Sequence, residues 1–176
     1  MIQIVQKVVR RHVSAATWRE VSQRAWEAVA AFWHEKILPK HFDRGAYREY
    51  GYPARSRGHE RRKLRKHGHQ RPLVYSGKLE RQVLRMREVR AQGGTGGVRR
   101  AGPAAGFRAE GGVAVKVFGP AYLRPTKAAP GQINFAAEIS AFSNRDRKAI
   151  AVELDRALRR ELRAARSSAA AEEVKA

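Results

Sequence analysis

Apolar positions recur with a helical period near both ends of the chain, and with a two-residue period once between them. Trp18, Val21, Ala25, Val29, Phe32 or Trp33, and Ile37 fall on one stripe, which predicts a core-facing helix of about five to six turns ending at Pro39. Trp26 and Trp33 lie two turns apart and widen that stripe. Thr17-Trp18-Arg19-Glu20 has the spacing of a capping box and sets the expected start. A second helix is predicted after Ser143, with Ile150, Leu154, Leu158 and Leu162 facing the core, and Arg156, Arg159, Arg160, Arg163 and Arg166 facing elsewhere. Between the helices, Phe107 to Phe118 alternates around Gly111-Gly112 and puts Val113, Val115 and Val117 on one face. That is the signature of a hairpin.

Shorter pieces fill the rest. Residues 2 to 9 fit a strand, Ala46 to Glu49 a single helical turn, and Ile133 to Phe142 another strand. Gly58 to Lys66 fits a solvated helix with Leu64 as its one apolar anchor. Ser76 is placed to cap a helix over Lys78 to Met86, with Leu79, Val83 and Met86 on one face. From Arg90 to Gly106 there are six glycines and three arginines, and the ordering entropy of glycine predicts a long mobile loop. Residues 167 to 176, SSAAAEEVKA, have nothing to bury and are expected to form a disordered tail. The fold class is therefore α+β: a small antiparallel sheet packed by two long helices, with a long Gly-rich loop. At 176 residues, a single domain over residues 1–166 is the expectation.

Charge narrows the partners. The formal net charge is +21, spread along the chain, which favours polyanions: nucleic acid first, acidic proteins second and a membrane surface third. There is no Cys, so neither a disulfide scaffold nor a Cys-ligated zinc is available. No apolar run reaches the ~20 residues of a membrane span, and MIQIVQKVVRRHVS lacks a signal-peptide apolar stretch. The expectation is a soluble product made in the cytoplasm with no membrane partner.

The densest charge lies between Ala54 and Arg71, where eight Lys or Arg face one acid, Glu60, with His59, His67 and His69 interleaved. Desolvating so many like charges would cost several kcal/mol each, so the block is expected to face water or a polyanion. A metal at His67 and His69 with His59 or His41 is disfavoured by that same charge. Ser76-Gly77-Lys78 lacks the preceding glycine and the following hydroxyl of a phosphate loop. Gly93-Gly94-Thr95-Gly96-Gly97 lacks the flanking strand and helix of a dinucleotide site. The carboxylates Glu153, Asp155 and Glu161 sit among arginines on a helix, with no acid/base couple. No catalytic, cofactor or metal residue is assigned, and the chain is not expected to be an enzyme.

The run His41-Phe42, Tyr50-Gly51-Tyr52, Arg55-Ser56, Lys63, Gly68-His69 and Pro72-Leu73-Val74-Tyr75-Ser76-Gly77-Lys78-Leu79 resembles the minor tail and neck proteins of long-tailed bacteriophages. These form the tail-completion group that also occurs in prophages and gene transfer agents. The resemblance covers roughly residues 30 to 85, is weaker over the final helix and is absent from the Gly-rich middle. It implies a structural virion protein made in the host cytoplasm: a homo-oligomeric ring at the head-proximal end of the tail, next to the connector, tail terminator or tube. In such a ring Arg55, Arg57, Arg61, Arg62, Lys63, Arg65, Lys66, Arg99 and Arg100 are the candidates to face non-specific double-stranded DNA. Phe42, Tyr47, Tyr50, Tyr52 and Tyr75 are the candidates for a subunit interface. The alternative is a basic RNA-binding protein of ribosomal type.

Overall fold

The computed structural model describes residues 14–85, 87–91, 94–97, 104–109, 112–120, 123 and 133–173. The expected strand at residues 2 to 9, Met86, Arg99 and Arg100 lie outside them.

The first helix, α1, runs over Ala15–Phe32. Its cap is Ser14, whose extended backbone lets the hydroxyl accept the Thr17 N–H at 3.1 Å. Thr17 is thus inside the first turn, and the capping box read at Thr17 starts the helix one turn late. The stripe is otherwise as expected: Val21, Ala25, Val29, Trp33 and Ile37 are buried, and so is Trp26. Around Pro39 the helix changes pitch, passing through a π turn at Trp33–Ile37 and then a 3₁₀ turn at Leu38–Phe42 that contains the proline. Proline has no N–H, and its ring crowds the carbonyl four residues back, so a regular ladder cannot pass through it. The altered pitch brings Trp33, Ile37, Leu38 and Phe42 all to the core, each without exposed surface.

Three short helices follow: α2 (Ala46–Tyr50), α3 (Arg57–His67) and α4 (Lys78–Arg85). Gly77, at φ 74°, precedes α4, and its carbonyl accepts the Arg81 N–H at 3.0 Å, so the first turn opens on the glycine. The strands are β1 (Arg87–Ala91), β2 (Gly94–Gly97), β3 (Ala104–Arg108) and β4 (Val113–Phe118). They form one antiparallel sheet in the order β2-β1-β4-β3. The hairpin closes at Ala109, whose N–H donates to the Val113 carbonyl at 2.8 Å. Val113, Val115 and Val117 all point into the core. Gly106 pairs with Lys116 at φ 152°, where a Cβ would stand 1.9 Å from the Val115 carbonyl oxygen. Only glycine fits there.

The sheet corrects the expected loop over 90–106, because Arg90 and Ala91 belong to β1, and β2 and most of β3 lie within that stretch. Strand pairing uses backbone groups alone, so a Gly-rich segment next to an open sheet edge can still be ordered. Ile133 to Phe142 is corrected as well. It holds a helix, α5 (Phe135–Ile139), because the Asn134 side chain caps it by accepting the Ala137 N–H at 2.9 Å.

The last helix, α6, spans Asn144–Glu173 and so enters the expected tail at 167–176. Ser143 caps it in a reciprocal box: its hydroxyl accepts the Asp146 N–H at 3.1 Å, and its own N–H donates to the Asp146 carboxylate at 3.3 Å. Ile150, Leu154 and Ala157 are buried, while Leu158 and Leu162 are half-buried. α1 rests on β1 and β4, and α6 packs along α1. The fold is α+β, an antiparallel sheet packed against two long helices.

Candidate polyanion-binding face

α3 is built to stand at the surface. Ser56 caps it by accepting the His59 N–H at 3.3 Å, and Gly68, at φ 71°, closes it with an N–H bond to the Leu64 carbonyl at 2.8 Å. One side of the helix is turned inward by a residue that the charge pattern assigned outward. Lys63 is 4% exposed, and its ammonium donates to the Arg71 carbonyl. Burial, then the Arg55 and Arg71 charges, lower its pKa below the ordinary lysine value. Leu64, expected to be the anchor, is 45% exposed. The exchange has a simple cause: a lysine stem can be buried as long as its head finds a carbonyl, and Arg71 offers one.

Arg55 is the second inward cation. Its guanidinium meets the Glu138 carboxylate at 2.5 Å, with both side chains 6% exposed. Arg71 extends the same framework, donating to the Phe42 carbonyl at 2.9 Å and pairing with Glu80. The peptide after Pro72 turns tightly, with the Val74 N–H on the Pro72 carbonyl at 2.6 Å and Leu73 at φ 57°. A non-glycine residue there costs roughly 1–3 kcal/mol, offset by burial of the Leu73 side chain.

The aromatic cluster holds this segment from the other side. The His41 ring stacks on Tyr50 at 3.9 Å between centroids. The Glu138 backbone carbonyl accepts the Tyr52 hydroxyl at 3.0 Å and lies 3.1 Å from His41 Nδ1, which also meets the Tyr52 hydroxyl. His41 Nε2 is buried with no hydrogen-bond partner among the described residues. Burial pushes the His41 pKa down to about 4. Burial also raises the phenols of Tyr50 and Tyr52. Next to them Asp146 accepts the Lys40 ammonium at 3.2 Å and the Ser143 hydroxyl at 2.8 Å. Burial works to raise the Asp146 pKa, but these hydrogen bonds outweigh it and hold the carboxyl below its ordinary value.

The five candidates for a subunit interface separate accordingly. Phe42 and Tyr52 are buried, and Tyr47 and Tyr50 pack against the core as partly buried rings. Phe42 and Tyr52 thus serve the interior, which corrects their assignment to an interface. Tyr75 is 44% exposed, with His67 against it edge-on at 4.5 Å and the Lys66 ammonium 5.8 Å from its ring centre. Burial, then the Lys63 charge, lower the pKa of His59 and of His69 on this side.

What remains outward on α3 is Arg57, Arg61, Arg62, Arg65 and Lys66, all exposed. None of these five has an ion-pair partner among the described residues. Of the seven candidate DNA-facing cations in the described residues, the fold keeps these five at the surface and draws Arg55 and Lys63 inside. Charge count along the sequence could not separate the two groups. Helical phase separates them only in part: Arg61 and Arg65 lie nearly opposite Lys63, but Lys66 shares its side of the helix and Arg55 precedes it. Among the described residues there is no group of three His, Cys, Asp or Glu side chains that could hold a metal ion. Among them there is also no helix long and apolar enough to cross a membrane.

Comparison with family models, curated proteins and solved structures finds no match to the chain.

Proposed function

We propose that this chain is a structural protein of a tailed-phage particle, or of a related prophage or gene transfer agent, and that it completes the tail at its head-proximal end. In this reading copies form a ring next to the connector, the tail terminator or the tube, and the outward face of α3 meets DNA in the channel. The observation that carries it is the set of five α3 cations without ion-pair partners among the described residues. They stand on a helix anchored from beneath by Lys63 and flanked by the buried Arg55–Glu138 pair. An ordinary protein surface mixes both signs. A channel wall needs the opposite: phosphate attraction that holds the DNA end, without base readout that would impede its passage.

The residues that carry the resemblance to tail-completion proteins support the reading in a second way. His41, Tyr50, Tyr52, Arg55 and Lys63 all serve to hold α3 and its flanks to the body of the protein. A ring also needs heterologous contacts, in which one side of a subunit complements the other. A charge of +21 per copy opposes self-association at low salt, so assembly is expected on a template or on neighbouring tail proteins. The test is negative-stain imaging of the purified protein with and without linear duplex DNA. Rings that thread or cap DNA ends are the expected result. A monomer that selects structured RNA over duplex DNA would replace this reading with the ribosomal-type alternative.

A further inference from the structure

The outer side of α6 carries a second charged surface, remote in sequence from α3. Arg145, Lys148, Arg156, Arg159, Arg163 and Arg166 are spaced three or four residues apart, except across Val152, and all are exposed. That spacing keeps them on one stripe of the helix. The stripe lies opposite Ile150, Leu154 and Ala157, which are buried. At 1.5 Å per residue it extends for roughly 30 Å, close to one turn of duplex DNA. Arg156 bonds Glu153 at 3.1 Å and Arg159 bonds Asp155 at 2.8 Å, while both guanidinium-bearing side chains stay about 70% exposed. Such exposed pairs are weak and open to exchange. Arg145, Lys148, Arg163 and Arg166 have no acidic partner among the described residues.

We infer that α6 is a second nucleic-acid contact, a straight cationic rail that takes the phosphate backbone of a duplex. A protein partner fits this surface poorly, because the centre of a protein interface is depleted of charge and the stripe offers only one apolar side chain, Val152, at 59% exposure. A phosphate backbone needs no apolar contact and binds arginine by paired hydrogen bonds. Helix α6 is long and seated on α1 along its buried side, so the rail keeps its spacing when it binds. The inference rests on the reading of the chain as a DNA-contacting protein and adds to it a second, independent surface.

The experiment compares four full-length proteins on a 30-base-pair duplex over a range of salt. They are the unaltered chain, a variant with the six α6 cations changed to Gln, a variant with Arg57, Arg61, Arg62, Arg65 and Lys66 changed to Gln, and the combination. Gln keeps helix propensity high, and far-UV circular dichroism checks that each protein is folded. The α6 variant is expected to lose affinity and to lower the log–log salt slope by about 0.9 for each phosphate it no longer neutralises. The loss should be additive with that of the α3 variant. If the α6 variant matches the unaltered chain while the α3 variant is weakened, the rail is overturned and the α3 reading stands. If neither variant differs from the unaltered chain, both are overturned. If the α6 variant loses binding to polyglutamate but not to DNA, the surface belongs to an acidic protein and the nucleic-acid assignment is wrong.

Discussion

Arg55 and Glu138, 83 residues apart in the chain, meet in a salt bridge of 2.5 Å with both side chains nearly withdrawn from solvent. This pair ties the segment that leads into α3 to helix α5. Removing one member leaves an uncompensated buried charge, which costs roughly 3–5 kcal/mol. Arg55→Met should therefore destabilise the protein by about that amount in urea unfolding. The double variant Arg55→Met with Glu138→Met should recover much of the loss. Equal destabilisation of the single and double variants would show that the pair itself is not the fastening.

The His41 ring gives stability a pH dependence of definite sign. Its folded pKa is near 4, against 6.5 for the free side chain. The unfolded chain thus takes up a proton in a range where the folded chain does not. Stability from this site is complete above pH 6.5 and is lost as the pH falls toward 4, by about 3 kcal/mol in all. Burial lowers His34 in the same direction, so the test is a difference: His41→Gln should flatten the fall between pH 6.5 and 4 relative to the unaltered chain. Parallel curves for the two proteins would contradict it.

Leu154 and Leu64 make a matched pair of controls. Leu154 is 1% exposed and Leu64 45%. Leu154→Ala should cost about 2–5 kcal/mol as a cavity mutation, and Leu64→Ala should stay within about 0.5 kcal/mol. Thermal melts that reverse this order would invert the assigned faces.

How much of this was legible in the chain follows from which physical signal each residue carries. The stripe of α1, the hairpin valines, the Ser143 cap and the α+β class are periodic or local features, and they stand in the structure as read. The strands within 90–106 depend on a pairing edge elsewhere in the chain, which composition does not display. The α5 helix was hidden by apolar residues that suit a strand equally well, and only the Asn134 cap decides it. At the candidate site the charge block was visible. The burial of Lys63 was not, because it depends on a carbonyl eight residues away.

That division predicts opposite phenotypes for neighbouring cations. Lys63→Gln should lower stability, since the Arg71 carbonyl loses its buried donor, and leave the salt dependence of DNA binding unchanged. Arg61→Gln should leave stability unchanged and lower the salt slope by about 0.9. Urea titrations and fluorescence anisotropy on both variants check the pair. A lowered slope for Lys63→Gln would mean that its ammonium reaches phosphate after all.

The most direct test of the central claim is the salt dependence of duplex binding for the variant with Arg57, Arg61, Arg62, Arg65 and Lys66 all changed to Gln. If α3 grips the phosphate backbone without reading sequence, the unaltered chain should bind unrelated duplexes equally. The variant should then lower the log–log slope by up to about 4.5, with the fold intact. A folded variant that keeps both the affinity and the slope of the unaltered chain would contradict the account.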